Sequence, residues 1–139
     1  MALRVIGTMV GTYHQRVVSN IYMTDSEAAV AGQGYYIASG RFTKAATTSA
    51  VQAVCLKSMD AGTNVLTVME LVKAGDIIEA DYTGTADAAF LPGLTLAVLD
   101  ANGANVASAT VTGGHLRLLE KDATTLKVRM IAGKNFTNV

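Results

Sequence analysis

Alternation of apolar and polar residues, cut at short intervals by turn signals, constrains this chain more than any other feature. In LTLAVLD-ANG-ANVASATV, residues 94–111, two β-capable runs flank Asp100-Ala101-Asn102-Gly103. Asn-Gly is a strong hairpin signal because both residues tolerate positive φ. A second hairpin is expected in HLRLLEK-DATT-LKVRMI, residues 115–131, where Leu126, Val128 and Met130 alternate with Lys127 and Arg129. That spacing puts an apolar face opposite a basic one. A third is expected in YYIA-SG-RFTKA, residues 35–45, and further strands in 51–59, 64–72 and 76–84, with Gly62 and Gly75 marking turns. Seven to nine short strands at this spacing predict an all-β fold, a small antiparallel barrel or sandwich.

Helical character is confined to Asp25–Ala31, where Asp25 is placed to cap a single turn. Residues 85–93, TADAAFLPG, read as a loop. Residues 1–24 are β-branched and aromatic but interrupted by glycines. They are either the first strands or an extended N-terminal arm, and residues 25–139 form one domain. Arg4, Tyr13, His14, Arg16 and Tyr22 are the candidate partner-binding residues, side chains of the kind that dominate interfaces.

Half of the 139 residues are hydrophobic, yet aromatics are 6% and Trp is absent, so the core must be built from small residues. Charged residues are 16%, against about 25% in ordinary domains. A surface this poor in charge suits a protein that covers part of itself with partners. Net charge is zero, which argues against nucleic acid as a partner. No window is long and apolar enough to predict a membrane span. The N-terminal MALRVIGTMVG lacks the continuous apolar run of a signal peptide. The single Cys55 excludes an intramolecular disulfide and fits assembly in a reducing cytoplasm.

Charge is unevenly distributed. Residues 60–87 sum to −5, residues 113–139 to +3 and residues 1–44 to +2. The acidic and basic segments could be two solvated faces, or could face each other within one fold or between copies.

Glu79 and Asp81 share a face of a strand whose other face, Ile78, Ala80 and Tyr82, is apolar. The two acids are therefore expected in water, where a carboxylate is unshifted and a weak candidate for acid–base catalysis. Asp76, Glu79, Asp81 and Asp87 do not have the spacing of a calcium loop. His115, at a strand start, and Cys55, in an alternating strand, read as structural. No phosphate-binding glycine loop is present. Neither catalytic residues, cofactor nor metal is expected.

The order of segments carries one resemblance. GQGYYIASGRFTKAATTSAVQAVCLKSMDAGT reads as strand, Ser-Gly turn, strand, polar loop and a strand ending Val-Cys-Leu. VLTVMELVKAGDIIEADYTGTADAAFLPG adds a strand, an Ala-Gly-Asp turn and a strand ending Tyr-Thr-Gly, and VTGGHLRLLEKDATTLKVRMIA a Gly-Gly-His lead into a final hairpin. Over about residues 32–132 this layout resembles the head decoration (cement) proteins of tailed bacteriophages. The resemblance implies a virion protein made in the host cytoplasm and bound to the capsid surface. It implies the major capsid protein and further copies of itself, as a homotrimer, as partners. It also implies a non-enzymatic role, cementing capsid subunits against DNA pressure. Residues 1–24 would match the terminal arm of such proteins. Alternatives are another phage structural subunit, of the tail tube or head completion, or a non-catalytic β-sandwich binding module.

Overall fold

The computed structural model describes residues 3–45 and 49–133. Lys134 and residues 46–48 of the polar loop, which the sequence reading used, lie outside them. Eleven strands are described: β1 (Arg4–Thr8), β2 (Val17–Val18), β3 (Gly34–Ala38), β4 (Arg41–Lys44), β5 (Ala53–Cys55), β6 (Met69–Leu71), β7 (Asp76–Thr83), β8 (Leu96–Ala97), β9 (Val106–Ala107), β10 (Leu116–Asp122) and β11 (Lys127–Ala132).

The first sheet runs β1-β7-β11-β10-β8, with β9 pairing in parallel to the far end of β7. The second runs β2-β6-β5-β3-β4. The architecture is a two-sheet sandwich without barrel closure. Pairing within each sheet is otherwise antiparallel.

Local chemistry explains the hairpins. Between β3 and β4, Ser39 and Gly40 both adopt positive φ, 51° and 74°, as a two-residue primed turn requires. Between β10 and β11, the Asp122 carboxylate accepts from the Thr124 and Thr125 N–H groups at 2.9 and 3.2 Å. These donors hold its pKa below the usual value. Leu126 takes φ 57° in that turn and is half exposed, so the apolar row of β11 begins only at Val128. At Asn102-Gly103 the chain folds back through the isolated bridge Leu99↔Val106, but the two-residue strands flanking it do not pair with each other: β8 pairs with β10 and β9 with β7.

Two apolar clusters hold the layers. One joins the sheets through Leu3, Val54, Ile78, Tyr82, Phe90, Leu99, Leu118, Val128 and Met130. The other lies on the opposite face of the second sheet, where Met23, Ala29, Tyr35, Phe42, Ala53, Cys55 and Met69 pack. Loops bridged at Tyr22↔Leu66, Met23↔Phe42 and Ala29↔Met59 cover it. The central strand β5 is consequently buried on both faces.

One expectation is corrected. Asp25–Ala31 is not helical: Ser26 has φ 68°, and the Asp25 carboxylate instead accepts from the Asn64 N–H at 3.0 Å and Arg41 at 3.1 Å. An extended N-terminal arm is not seen among the described residues. β1 and β2 are ordinary members of the two sheets, because each finds a full backbone partner there, β7 and β6 respectively.

Candidate functional site

The outward face of the first sheet carries the acidic stretch that stood out in the sequence. β7 and β11 are adjacent, with Glu79 opposite Arg129 and Asp81 opposite Lys127. Residues of the acidic and basic segments therefore meet inside one chain. Glu79 is 8% exposed and lies between two guanidinium groups. Arg4 donates to it from Nε at 2.9 Å and also from Nη2, while Arg129 Nε donates to the other oxygen at 3.2 Å. Arg129 continues to Glu120 at 3.3 Å, and Lys127 Nζ donates to Asp81 at 3.0 Å.

The expectation that Glu79 and Asp81 sit in water is corrected. The hydrogen bond from Arg4, reinforced by Arg129 and opposed by burial, holds the Glu79 carboxyl below the usual range. For Asp81, burial raises the pKa while the hydrogen bond and charge of Lys127 are among the effects that lower it, and the net shift is downward. Carboxylates held ionised in this way are poor proton carriers near neutral pH.

This arrangement fixes a pH dependence. A depressed folded-state pKa gives stability above the unfolded value, about 4.3 for Glu, that is lost as pH falls through the folded value. Urea midpoints of the wild type should fall steeply below about pH 4, whereas Glu79→Gln should start lower at neutral pH and follow a shallower acid limb. Parallel curves for the two proteins would show that the pair contributes nothing.

A shallow cleft of about 420 Å³ opens beside this ladder, lined by Glu79, Glu120, Lys121, Asp122, Lys127 and Arg129. A smaller one of about 200 Å³ lies at one end of the sandwich, lined in part by Gln52, Lys73 and His115. Among the described residues, no three His, Cys, Asp or Glu side chains are grouped to hold a metal ion. Cys55 is buried, its thiol pKa pushed up by that burial, and it donates to the Lys57 carbonyl at 3.1 Å.

The five residues singled out from the sequence do not form one patch. Arg4, on the edge strand of the first sheet, is engaged by Glu79. Tyr13, in the β1–β2 connection, donates its phenol to Glu70, and Gln15 Nε2 reaches the same carboxylate at 3.4 Å. Glu70 alternates with Met69 and Leu71, which face the second cluster, so it points toward the other sheet and is 4% exposed. Burial first, then the hydrogen bond and charge of Glu70, push the Tyr13 phenol up to about 12. Arg16 offers its carbonyl to the Leu71 N–H at 2.7 Å. His14 is exposed. Tyr22 sits at the opposite edge of that sheet, beside β4, with the Arg41 guanidinium 5.4 Å from its ring centre.

Sequence reasoning missed Glu70 and Asp76 as buried acids, 4% and 2% exposed. Their only sequence signal was position. Glu70 interrupts an apolar run, VMELV, and Asp76 closes the Lys73–Asp76 turn, its carboxylate accepting from the Lys73 N–H at 3.0 Å. No protein-family model, characterised protein or solved structure matches the chain.

Proposed function

We propose that this chain is a structural virion protein that binds the outside of a phage capsid and cements adjacent major capsid subunits, working as a homotrimer and without catalysis. The observation that supports this best is the placement of residues 4–18. They run along the edge of one sheet, cross to the edge of the other, and expose Ile6, Met9, Val10 and Val17 on the way. Met9 and Val10 are 53% and 49% exposed beside Gly11, around which an added Cβ would meet nothing. Edge strands bind partners through main-chain hydrogen bonds, and flanking apolar side chains add area. The segment order resembling decoration proteins supplies the partner.

Quantitative mass spectrometry of purified particles from the source phage tests this reading. The chain is expected at a near-stoichiometric ratio to the major capsid protein. A few copies per particle would replace the reading with a tail or connector part, and absence from particles would end it.

A further inference from the structure

The Asn-Gly step of the 100–105 loop does more than turn the chain. The Gly103 N–H donates to the Asp100 carbonyl at 3.0 Å, and the Asn102 N–H to the Asp100 carboxylate at 3.1 Å. Asn105 Nδ2 reaches the second carboxylate oxygen at 3.3 Å, and the Asp100 N–H donates to the Asn105 carbonyl at 2.8 Å. Asn102 is exposed while Gly103 is buried. The Gly103 carbonyl accepts from the Gly34 N–H of β3 at 2.8 Å. A Cβ added to Gly103 would lie 2.4 Å from the Ala45 carbonyl oxygen. A loop between two strands of the first sheet is thereby latched to the β3–β4 hairpin of the second.

Asn-Gly is also the dipeptide most open to self-modification, since glycine leaves its own amide nitrogen unhindered. That nitrogen attacks the asparagine Cγ, a C–N bond forms, and ammonia leaves with the side-chain amide nitrogen. Water then opens the succinimide at either carbonyl, giving Asp or isoaspartate, the latter with one extra methylene in the main chain. Only water is consumed. In the folded turn the nucleophile is engaged: its N–H is bound to Asp100, and its residue is held by Gly34 and packed on Ala45.

We infer that Asn102 is a deamidation site gated by opening of the 100–105 turn, and that its isoaspartyl product releases the latch between the two sheets. The inference is independent of the capsid reading. Local opening sets the rate of any reaction that the closed form forbids. In mildly alkaline buffer, peptide mapping by mass spectrometry should find conversion at residue 102 of the intact protein about tenfold or more slower than in a synthetic peptide spanning 97–108. Asp100→Ala keeps the carbonyl that holds the Gly103 N–H but removes the carboxylate bonds to Asn102 and Asn105 that close the turn, and should bring the protein's rate part of the way toward that of the peptide. Equal rates for folded protein and peptide, or no acceleration in a folded Asp100→Ala protein, would overturn the gate. Should Asp100→Ala not fold, wild-type conversion and Gly103 amide exchange should rise together through sub-denaturing urea, and independence of the two would overturn it equally. The latch is tested by melting the separated isoaspartyl form against Asn102→Asp, which has the same charge and an ordinary backbone. The isoaspartyl form should melt lower, and identical melting would refute the latch.

Discussion

Gly114→Ala is expected to destabilise the protein by about 3 kcal/mol or more, above the 1–3 kcal/mol usual for overpacking. The reason is backbone, not side chain. The chain wraps tightly around β8: the Leu96 N–H donates to the Val111 carbonyl on one side, and Ala97 pairs with Leu116 on the other. Gly114 crosses between these contacts. A Cβ built there would lie 1.7 Å from the Ala97 carbonyl oxygen and 2.9 Å from that of Leu96. No rotamer change relieves a clash with main chain, so β8 would have to leave β10. Gly40→Ala is the matched control. Gly40 has φ 74° but open space around it, so only the left-handed backbone is penalised, by about 1 kcal/mol. Urea unfolding of the two variants should separate them clearly. Equal losses would mean that the close approach at Gly114 is relieved by a small shift. If Gly114→Ala yields no folded protein, the control still reports whether the loss exceeds simple backbone strain.

The second large effect is expected from Tyr13→Phe, about 2–3 kcal/mol. The change removes one hydroxyl and keeps the ring. It leaves the Glu70 carboxylate, 4% exposed, with Gln15 at 3.4 Å as its remaining side-chain donor. A buried charge that loses its partner costs far more than the pair contributed, because the charge cannot recover its water. Glu70→Gln in the Tyr13→Phe background should restore part of the loss, since a neutral amide tolerates the site better. The coupling from the double-mutant cycle measures the bond. The β1–β2 connection is fastened at this point, so exchange of the Val17 and Val18 amides should accelerate in Tyr13→Phe. A loss under about 0.5 kcal/mol would show that water replaces the phenol without penalty. With the phenol raised to about 12, its contribution is complete below the ordinary tyrosine value and is lost only as pH climbs from about 10 through 12.

Much of the scaffold was legible from residues alone. Ser39-Gly40 and the residues after Asp122 became turns where expected, because positive φ and short side-chain-to-backbone bonds are local properties, but Leu126, expected in the strand, was drawn into the second turn. Ile78, Ala80 and Tyr82 face the core as their spacing demanded. Legibility failed wherever a partner was distant in sequence. Asp25 looked like a helix cap because its competitors, Asn64 and Arg41, are 39 and 16 residues away. Glu79 looked solvated because Arg4 and Arg129 lie 75 and 50 residues away on neighbouring strands. The bond from Tyr13 to Glu70 was invisible for the same reason, with Glu70 57 residues downstream.

Alternation, turn dipeptides and a small-residue core were enough to establish an all-β chain of short strands, since each depends on neighbours a few residues apart. Which strands became edges, which acids were buried, and which opposite charges met within the chain were decided by strand order. That order brings together residues that no local pattern connects. It sets β11 beside β7, turning two oppositely charged segments into one paired face. It leaves β1 and β2 at the margins of separate sheets, with the exposed side chains of residues 6–17 along them.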